Sequence, residues 1–477
     1  MKIFIIGAGF TGKQLAKSLV LEGNSVVLID NDPERVRHAS DQLDCTVIEA
    51  DGNNIEALEN AGISSADALV TLTEDDELNM VTCSLVDSLY PDVFKIARVR
   101  NYAYYAAADL ARRRAKNRGT PGRPLYGIDR MMNPDVEAAS AIASALEHGA
   151  VGGVIDLEGG FSITTLSVGE GSALAGVPLW QFSSIPGWRY FIAFVEIDGE
   201  VTLPNGNTVL KVGDRIGIVS RHDETDELVK FTRTPAGNIR RIVLFGADSV
   251  GKLLVARQLA MHRSSPWKLI FGSDRRAEHR EIVVVDRDAE RCREIIEQFP
   301  GARALCGDFT DEALLEEENI FGFDLLVAAS GNYELNLLTA AYLKSRGVAK
   351  TIALASAAAD CEIARKLGID VAVAMRSTVV DGIMSHLSGR SVKALHSVCN
   401  RQFVIVEGDV SARSRVIGRK LMDISDLGEF LVLLVRGSAS AGLEMPRGDT
   451  VVEKGMHVVL IARSGDGNIL ERFFGRD

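Results

Sequence analysis

Long apolar runs are missing from this chain of 477 residues. None approaches the ~20 residues that span a bilayer. The longest candidates, such as Phe430-Leu431-Val432-Leu433-Leu434-Val435, have the length of a buried strand. No membrane-spanning helix is therefore expected. The first residues enter a strand-like stretch with no charged leader and no small-residue cleavage site, so a secretory signal is not expected. Paired cysteines are missing too. Six cysteines (Cys45, Cys83, Cys292, Cys306, Cys361, Cys399) are scattered, and no two have C-x-x-C spacing. Zinc and thioredoxin-like chemistry have no support, and free core thiols in a reducing cytosol are expected. The eight histidines form no H-x-x-E-H or H-E-x-x-H pattern. Positive charge is in deficit: 53 Lys and Arg stand against 65 Asp and Glu, a net charge of −12. That argues against the whole protein being a nucleic-acid binder. What is present is ordinary globular composition, 46% hydrophobic and 25% charged, in a length suited to roughly three to four domains.

The chain says nearly the same thing twice. Ile3-Phe4-Ile5-Ile6-Gly7-Ala8-Gly9-Phe10-Thr11-Gly12 leads to Asp30, and Ile242-Val243-Leu244-Phe245-Gly246-Ala247-Asp248-Ser249-Val250-Gly251 leads to Asp286. Ala50-Asp51-Gly52 matches Cys306-Gly307-Asp308, and Glu77-Leu78-Asn79-Met80 matches Glu334-Leu335-Asn336-Leu337. A duplication of this size reads as two tandem nucleotide-binding-like units, since a solenoid repeat would be far shorter.

Between 1 and 100, strand patterns at 2–6, 26–30, 46–49, 68–72 and 94–98 alternate with helical patterns near 11–22, 33–43, 54–61 and 76–89. This alternation predicts a parallel sheet with right-handed crossovers. A basic stretch follows, Arg112 to Arg123, with no acid between 111 and 123. It reads as a helix end entering a loop, either solvated or in contact with an acidic partner or membrane surface. From about 126 the pattern changes: a helix near 134–147, then short strands at 151–156, 161–166, 190–196, 208–210 and 215–219. Residues 232–239 read as a linker, the first pattern restarts at 240, and a second strand-rich module runs from about 376. The order is A-B-A′-B′, with expected boundaries 1–125, 126–234, 235–375 and 376–477. The fold class is α/β: two Rossmann-like, doubly wound parallel-sheet domains, each followed by a small α+β domain.

The first A unit places G-x-G-x-x-G between a strand and a helix, where the motif is specific. Gly7 serves the tight turn, Gly9 the approach of a pyrophosphate and Gly12 close helix–strand packing, with Phe10 and Thr11 between them. The helix start offers amides to an anion. Asp30, at the end of the second strand, suits ribose hydroxyls and repels a 2′-phosphate, which favours NAD(H) or adenine nucleotides over NADP. Asp51, Thr71 and Thr73 lie at carboxyl ends of strands, where open α/β sheets bind ligands. Arg98 and Arg100, two residues apart after the fifth strand, suit a phosphate clamp. Surface salt bridges are the bland alternative for the arginines, and a helix cap is the preferred reading of Asp32.

In the second A unit Asp248 replaces the middle glycine, and Leu354 and Ser356 take the places of Arg98 and Arg100. The segment 262–281 lengthens the first crossover. A structural copy is expected, with nucleotide binding in a changed pose as the alternative. The small modules show no evident catalytic group, so neither catalytic residues nor metal ligands are expected.

Ile3–Gly12, Leu28-Ile29-Asp30, Glu49-Ala50-Asp51-Gly52, Asp76-Glu77-Leu78-Asn79-Met80 and Ile96-Ala97-Arg98-Val99-Arg100-Asn101 resemble the N-terminal domain of the RCK (regulator of K⁺ conductance) family. Gly127-Ile128-Asp129 to Asn133-Pro134, Leu174–Pro178 and Pro204-Asn205-Gly206-Asn207-Thr208 are similar to its C-terminal companion. Two such pairs in one chain look like the Trk-type potassium uptake regulators. The chain departs from that family at Asp248, at the lost arginine pair and at 112–123. The resemblance implies a non-enzymatic gating subunit, cytoplasmic and peripheral on the inner face of the membrane. It implies NAD(H) and/or ATP/ADP as regulatory ligands and a homotetramer of eight N–C units. It also implies an integral membrane, TrkH/TrkG-like potassium transporter subunit as partner. Alternatives from the residues alone are an NAD-dependent oxidoreductase and an NAD-sensing interaction protein unrelated to transport.

Overall fold

The computed structural model describes residues 1–117, 124–147, 154–197, 200–221, 224–232, 239–263, 281–387, 392–398, 403–424, 429–437, 442–463 and 472–474. The turn at 198–199, most of the linker 232–239 and of the insertion 262–281, Cys399, and the side chains of the basic segment 112–123 lie outside what is described.

The first strand–helix alternation forms as β1 (Lys2–Ile6), α1 (Phe10–Leu21), β2 (Ser25–Asp30), α2 (Pro33–Gln42), β3 (Thr46–Glu49), α3 (Ile55–Asn60), β4 (Ala68–Thr71), α4 (Asp76–Leu89), β5 (Phe94–Arg98), α5 (Tyr102–Asn117), β6 (Arg130–Met132) and α6 (Pro134–Glu147). The strands pair in parallel in the order β3-β2-β1-β4-β5-β6. That order reverses beside β1, which is where an open α/β sheet opens a crevice for a ligand. Capping fixes the helix starts: the Asp32 carboxylate accepts from the Glu34 and Arg35 amides and Asp75 from that of Leu78.

The second module holds β7 (Val154–Asp156), β8 (Phe161–Ser167), β9 (Phe191–Ile197), β10 (Glu200–Thr202), β11 (Arg215–Arg221) and α7 (Thr225–Thr232) in an antiparallel sheet ordered β10-β9-β11-β8-β7. The repeat then follows as β12 (Arg241–Phe245), α8 (Ser249–Arg263), β13 (Glu281–Asp286), α9 (Ala289–Gln298), β14 (Arg303–Cys306), α10 (Glu312–Glu317), β15 (Leu325–Ala328), α11 (Tyr333–Ser345), β16 (Lys350–Ala355), α12 (Ala358–Lys366), β17 (Val371–Ala374) and α13 (Met375–Leu387). Its sheet order, β14-β13-β12-β15-β16-β17, reproduces the first. The last module holds β18 (Val392–Val398), β19 (Phe403–Asp409), α14 (Leu421–Ile424), β20 (Phe430–Arg436) and β21 (His457–Arg463), antiparallel in the order β18-β19-β21-β20. Two Rossmann-like parallel sheets and two small antiparallel sheets therefore alternate along the chain, as the sequence predicts.

Three details differ from the sequence reading. Arg130–Met132 adds a sixth strand to the first sheet, past the change of pattern at 126, and β17 does the same in the second. In place of the strand expected at 208–210, Val209 and Leu210 make isolated bridges to Pro178 and Ala175. Cys83 and Cys292 are buried free thiols, but Cys306 is exposed.

The chain condenses into two compact units, and they do not follow the sequence halves. One contains Met1–Glu137 with Arg376–Asp477, the other Ala138–Met375. Helices α6 and α13 cause this. In α13, Val379, Val380, Ile383, Met384 and Leu387 are buried in a core shared with Leu15, Leu28 and Val70 of the first Rossmann-like sheet layer. In α6, Ala138, Ala139, Ile142, Ala143 and Leu146 are buried with Ile242, Leu244 and Val250 of the second. The two stripes have identical spacing, offset by 241 residues (379 − 138). Each stripe covers a helix face at i, i+1, i+4, i+5 and i+8. Burying one such large apolar side chain contributes at most about 1.5–3 kcal/mol, so five of them in α13 are a strong tie.

Candidate functional site

The β1–α1 turn has the backbone geometry its glycines predict. Gly7 has φ +108°, and a Cβ there would lie 3.1 Å from the Leu72 carbonyl carbon. A Cβ at Gly12 would collide with the Gly7 carbonyl, so only glycine lets α1 pack this close to β1. A Cβ at Gly9 would meet nothing within 4 Å. Gly9 is also the residue before α1, with no side-chain cap of its own. No side chain of the N-cap residue takes up the amides of the helix start, and the space a Gly9 side chain would fill is open, which suits an anion cradle. Thr11 is half-buried in the first turn of α1 and Phe10 is exposed.

Asp30 sits behind that turn, buried. Its Oδ2 accepts the Ala8 amide at 2.6 Å, its Oδ1 accepts the Asp32 amide at 2.9 Å, and Arg35 Nη1 lies 3.9 Å away. Its carboxylate thus orders the turn. Asp51 is exposed at the end of β3 and accepts from Asn31 Nδ2 at 2.9 Å. Gly52 is buried, and a Cβ there would collide with Ile6.

The two threonines divide. Thr71 is fully buried, and its hydroxyl donates to the Asn79 carbonyl at 3.2 Å, against α4. Thr73 lies in the loop beyond the strand and donates its hydroxyl to Asn79 Oδ1 at 2.8 Å. The arginines divide as well. Arg98 ends β5, half-buried, with Nη1 3.4 Å from the Leu72 carbonyl that also lines Gly7. Arg100 lies past the strand with an exposed side chain, and its amide donates to Asp76 at 2.9 Å. The two therefore do not sit at alternate positions of one strand; Arg98 is the one beside the turn.

Sequence reasoning passed over Asn79, the hub of this end of the sheet. Its Oδ1 accepts from the Thr73 amide, and its Nδ2 donates to the Thr73 and Arg98 carbonyls, each at 3.0 Å. Asn336 repeats every bond with Ser330 and Leu354. The repeated Glu-Leu-Asn was the signal.

The second turn keeps the scaffold and loses the cradle. Gly246 has φ +107°, and Asp286 accepts from the amides of Ala247 (2.7 Å) and Asp288 (2.9 Å). Asp248 stands where Gly9 stands in the first turn, and its Oδ1 accepts from the Gly251 amide at 3.4 Å. The chain here supplies its own anion to the helix start. Arg287 donates to Asp308 at 2.9 Å, a cation in the place of the uncharged Asn31 that donates to Asp51, and covers the Phe309 ring. The Thr310 amide, with the Thr310 hydroxyl and Arg287, holds the Asp308 carboxyl below its ordinary range. The counterpart of Arg98 is Leu354, a buried core residue.

The TrkA-N domain family matches two stretches, residues 3–115 and 273–375. The chain carries two regions similar to the TrkA-N domain. The second match begins past the Gly246–Gly251 turn, in line with what that turn has lost. Over 99% of its length the chain is 29% identical to the Trk system potassium uptake protein TrkA homolog 1 of Methanosarcina mazei, covering 100% of that relative. It is 27% identical to the Trk system potassium uptake protein TrkA of Halomonas elongata, over 96% of this chain and 95% of that one. Among solved structures, the GsuK channel matches 99% of this chain and 78% of its own at 15% identity and TM-score 0.56. The RCK domain of GsuK matches 98% and 93% at 16% identity and TM-score 0.54, and the GsuK channel bound to NAD aligns with TM-score 0.55 at 15% identity over 98% and 78%. Both tandem Rossmann-like sheets and their small companions thus have the RCK architecture. Among the described residues no helix is long and apolar enough to cross a membrane.

Proposed function

We propose that this tandem TrkA-N chain is the nucleotide-sensing regulatory subunit of a Trk-type potassium uptake system. The observation that carries the reading is the difference between its two turns: open space at Gly9 and a built-in carboxylate at Asp248, in a chain similar along its length to potassium uptake proteins. NAD(H) and/or ATP/ADP bind the first turn, one per chain, at Gly7, Gly9, Phe10, Thr11 and Gly12. Asp30, Asp51, Thr73 and Arg98 surround the ligand. Thr71 shapes the strand end, and Arg100 meets phosphate only by turning back over the loop. The nucleotide is a signal and is not consumed. The four sequence modules, bounded at 125/126, 234/235 and 375/376, are the units of the repeat.

Four chains assemble, so that eight N–C units form a ring. Exposed apolar residues at matching positions support self-association: Val81 and Leu85 on α4, Leu338 and Tyr342 on α11, each pair offset by 257 (338 − 81 and 342 − 85). The ring works from the cytoplasmic face on a TrkH/TrkG-like integral membrane subunit. A ligand shifts the ring only by binding one conformation more tightly, and the transporter must then alter nucleotide affinity in return.

Titration with NADH and ATP, and potassium flux in vesicles holding the transporter, test this. Wild type is expected to bind one nucleotide per chain and to alter flux, and Gly9→Asp to do neither. Sustained oxidation of NADH or hydrolysis of ATP, lost in Gly9→Asp, would sink the regulatory reading. Two equivalent sites per chain would sink the assignment of one.

A further inference from the structure

A cation that belongs to no motif of the first module stands at the mouth of its glycine turn. Arg376 is the second residue of α13, more than 360 residues along the chain, yet in the same compact unit as the turn. Its guanidinium carbon lies 4.4 Å from the centroid of the Phe10 ring. Phe10 opens α1 directly after Gly9. Both side chains are exposed, so the pair forms a stacked platform with its outer face in solvent. Among the described residues no carboxylate forms an ion pair with Arg376. It stacks on the first residue of α1, whose positive dipole end is of like sign and unfavourable. An anion placed between the two relieves both.

The duplicate shows the same residues changing together. The identical apolar stripes of α6 and α13 set Asp135 at the position of Arg376 (376 − 241). The copy with an open glycine turn therefore has arginine there. The corresponding position of α6 has an acid, Asp135.

We propose that Arg376 is a ligand for the phosphate chain at the first glycine turn, selecting for a nucleotide with a terminal phosphate, so that it favours ATP over NADH. This rests on the reading of that turn as a nucleotide site. The turn amides and Arg98 serve the pyrophosphate that both nucleotides share. Arg376, on the solvent side of Phe10, meets the extra charge that only the triphosphate carries. A guanidinium offers two parallel donors to such a group and stays charged at every relevant pH.

Calorimetric titration of the full chain with ATP and with NADH at low salt tests the proposal. Arg376→Gln is expected to weaken ATP about tenfold, as for loss of one charge-assisted contact at a half-solvated site, and NADH less than about twofold. Its ATP affinity should also depend less steeply on ionic strength. Arg376→Lys should fall between the two, keeping the charge without the fork. Phe10→Leu removes the shelf while leaving the cation, and should weaken ATP by a smaller factor, about two- to threefold. Because both side chains are exposed, unchanged circular dichroism and gel-filtration profiles are expected for the variants. Equal losses for ATP and NADH, or none, in Arg376→Gln overturn the proposal, while the nucleotide reading survives if Gly9→Asp still abolishes binding. A wild type that binds neither nucleotide overturns both.

Discussion

The amide of Ala8 donates to the carboxylate of Asp30 at 2.6 Å, so the acid that ends β2 fastens the glycine turn to the strand beside it. The bond recurs between Ala247 and Asp286 at 2.7 Å, in a copy whose turn carries Asp248 in place of the middle glycine. An acid that served ribose alone would have no work in the second copy; one that fastens the turn has the same work in both. Asp30→Ala is expected to weaken nucleotide binding by about 1.5–3 kcal/mol and also to lower the unfolding temperature. Asp286→Ala should destabilise similarly and leave nucleotide affinity alone. Thermal unfolding and calorimetry on both variants decide this: a stable Asp286→Ala would confine the acid's role to the ligand.

Lys95 is buried in β5, with Nζ 2.8 Å from Asp87 and 3.9 Å from Asp129. Its Nζ also donates to the Pro91 carbonyl at 3.0 Å. Lys95→Ala removes the buried cation that faces both acids and should cost about 3 kcal/mol, the low end for a broken buried pair because Asp129 is partly hydrated. Replacement of Lys95 together with Asp87 by apolar residues should cost less than the single change. Denaturant unfolding of the two variants checks the order.

Glu137 lies on α6, close to Gly382 of α13. Burial raises its carboxyl above the ordinary 4.5. The folded state therefore holds this proton more tightly than the unfolded chain does. The group's contribution is full below 4.5 and is lost as pH rises through the folded value. Glu137→Gln should thus be more stable than wild type at pH 7, with the advantage shrinking towards pH 4. Unfolding temperatures across that range measure it; a constant difference would contradict the burial account.

Light scattering should give a particle near four times 51.5 kDa. Leu85→Glu on α4 and Tyr342→Glu on α11 place charges on exposed apolar faces and should reduce the particle to smaller species without unfolding the chain. A monomer in the wild type, at every concentration and with either nucleotide, would rule out the ring.

The periodic parts of the fold were legible. Strands β1 to β5 and their helices follow from alternation, and the glycine spacing announces a tight turn against a helix. The short strands β6 and β17 were not, because three or four residues running into a helix carry too little pattern to register. Thr71 looked available because it ends a strand. A strand covered on both faces buries both sets of side chains, however, and only Thr73, in the loop beyond it, is partly exposed. Arg98 and Arg100 looked equivalent because the end of β5 between them is invisible in sequence. Arg376 had no signal at all: its meaning comes from Phe10, which only folding brings near.

The exchange of α6 and α13 also sets the order in which the molecule can be made. Emerging at about 5–20 residues per second, the first Rossmann-like module leaves the ribosome with the surface meant for α13 still bare. The helix that covers it follows on the order of tens of seconds later. Until then Leu15, Leu28 and Val70 lack the α13 side chains of their core, and the glycine turn lacks the arginine that stacks on Phe10. A chain that stalls before α13 thus leaves this apolar surface bare, and the first Rossmann-like layer is covered only once α13 has been made.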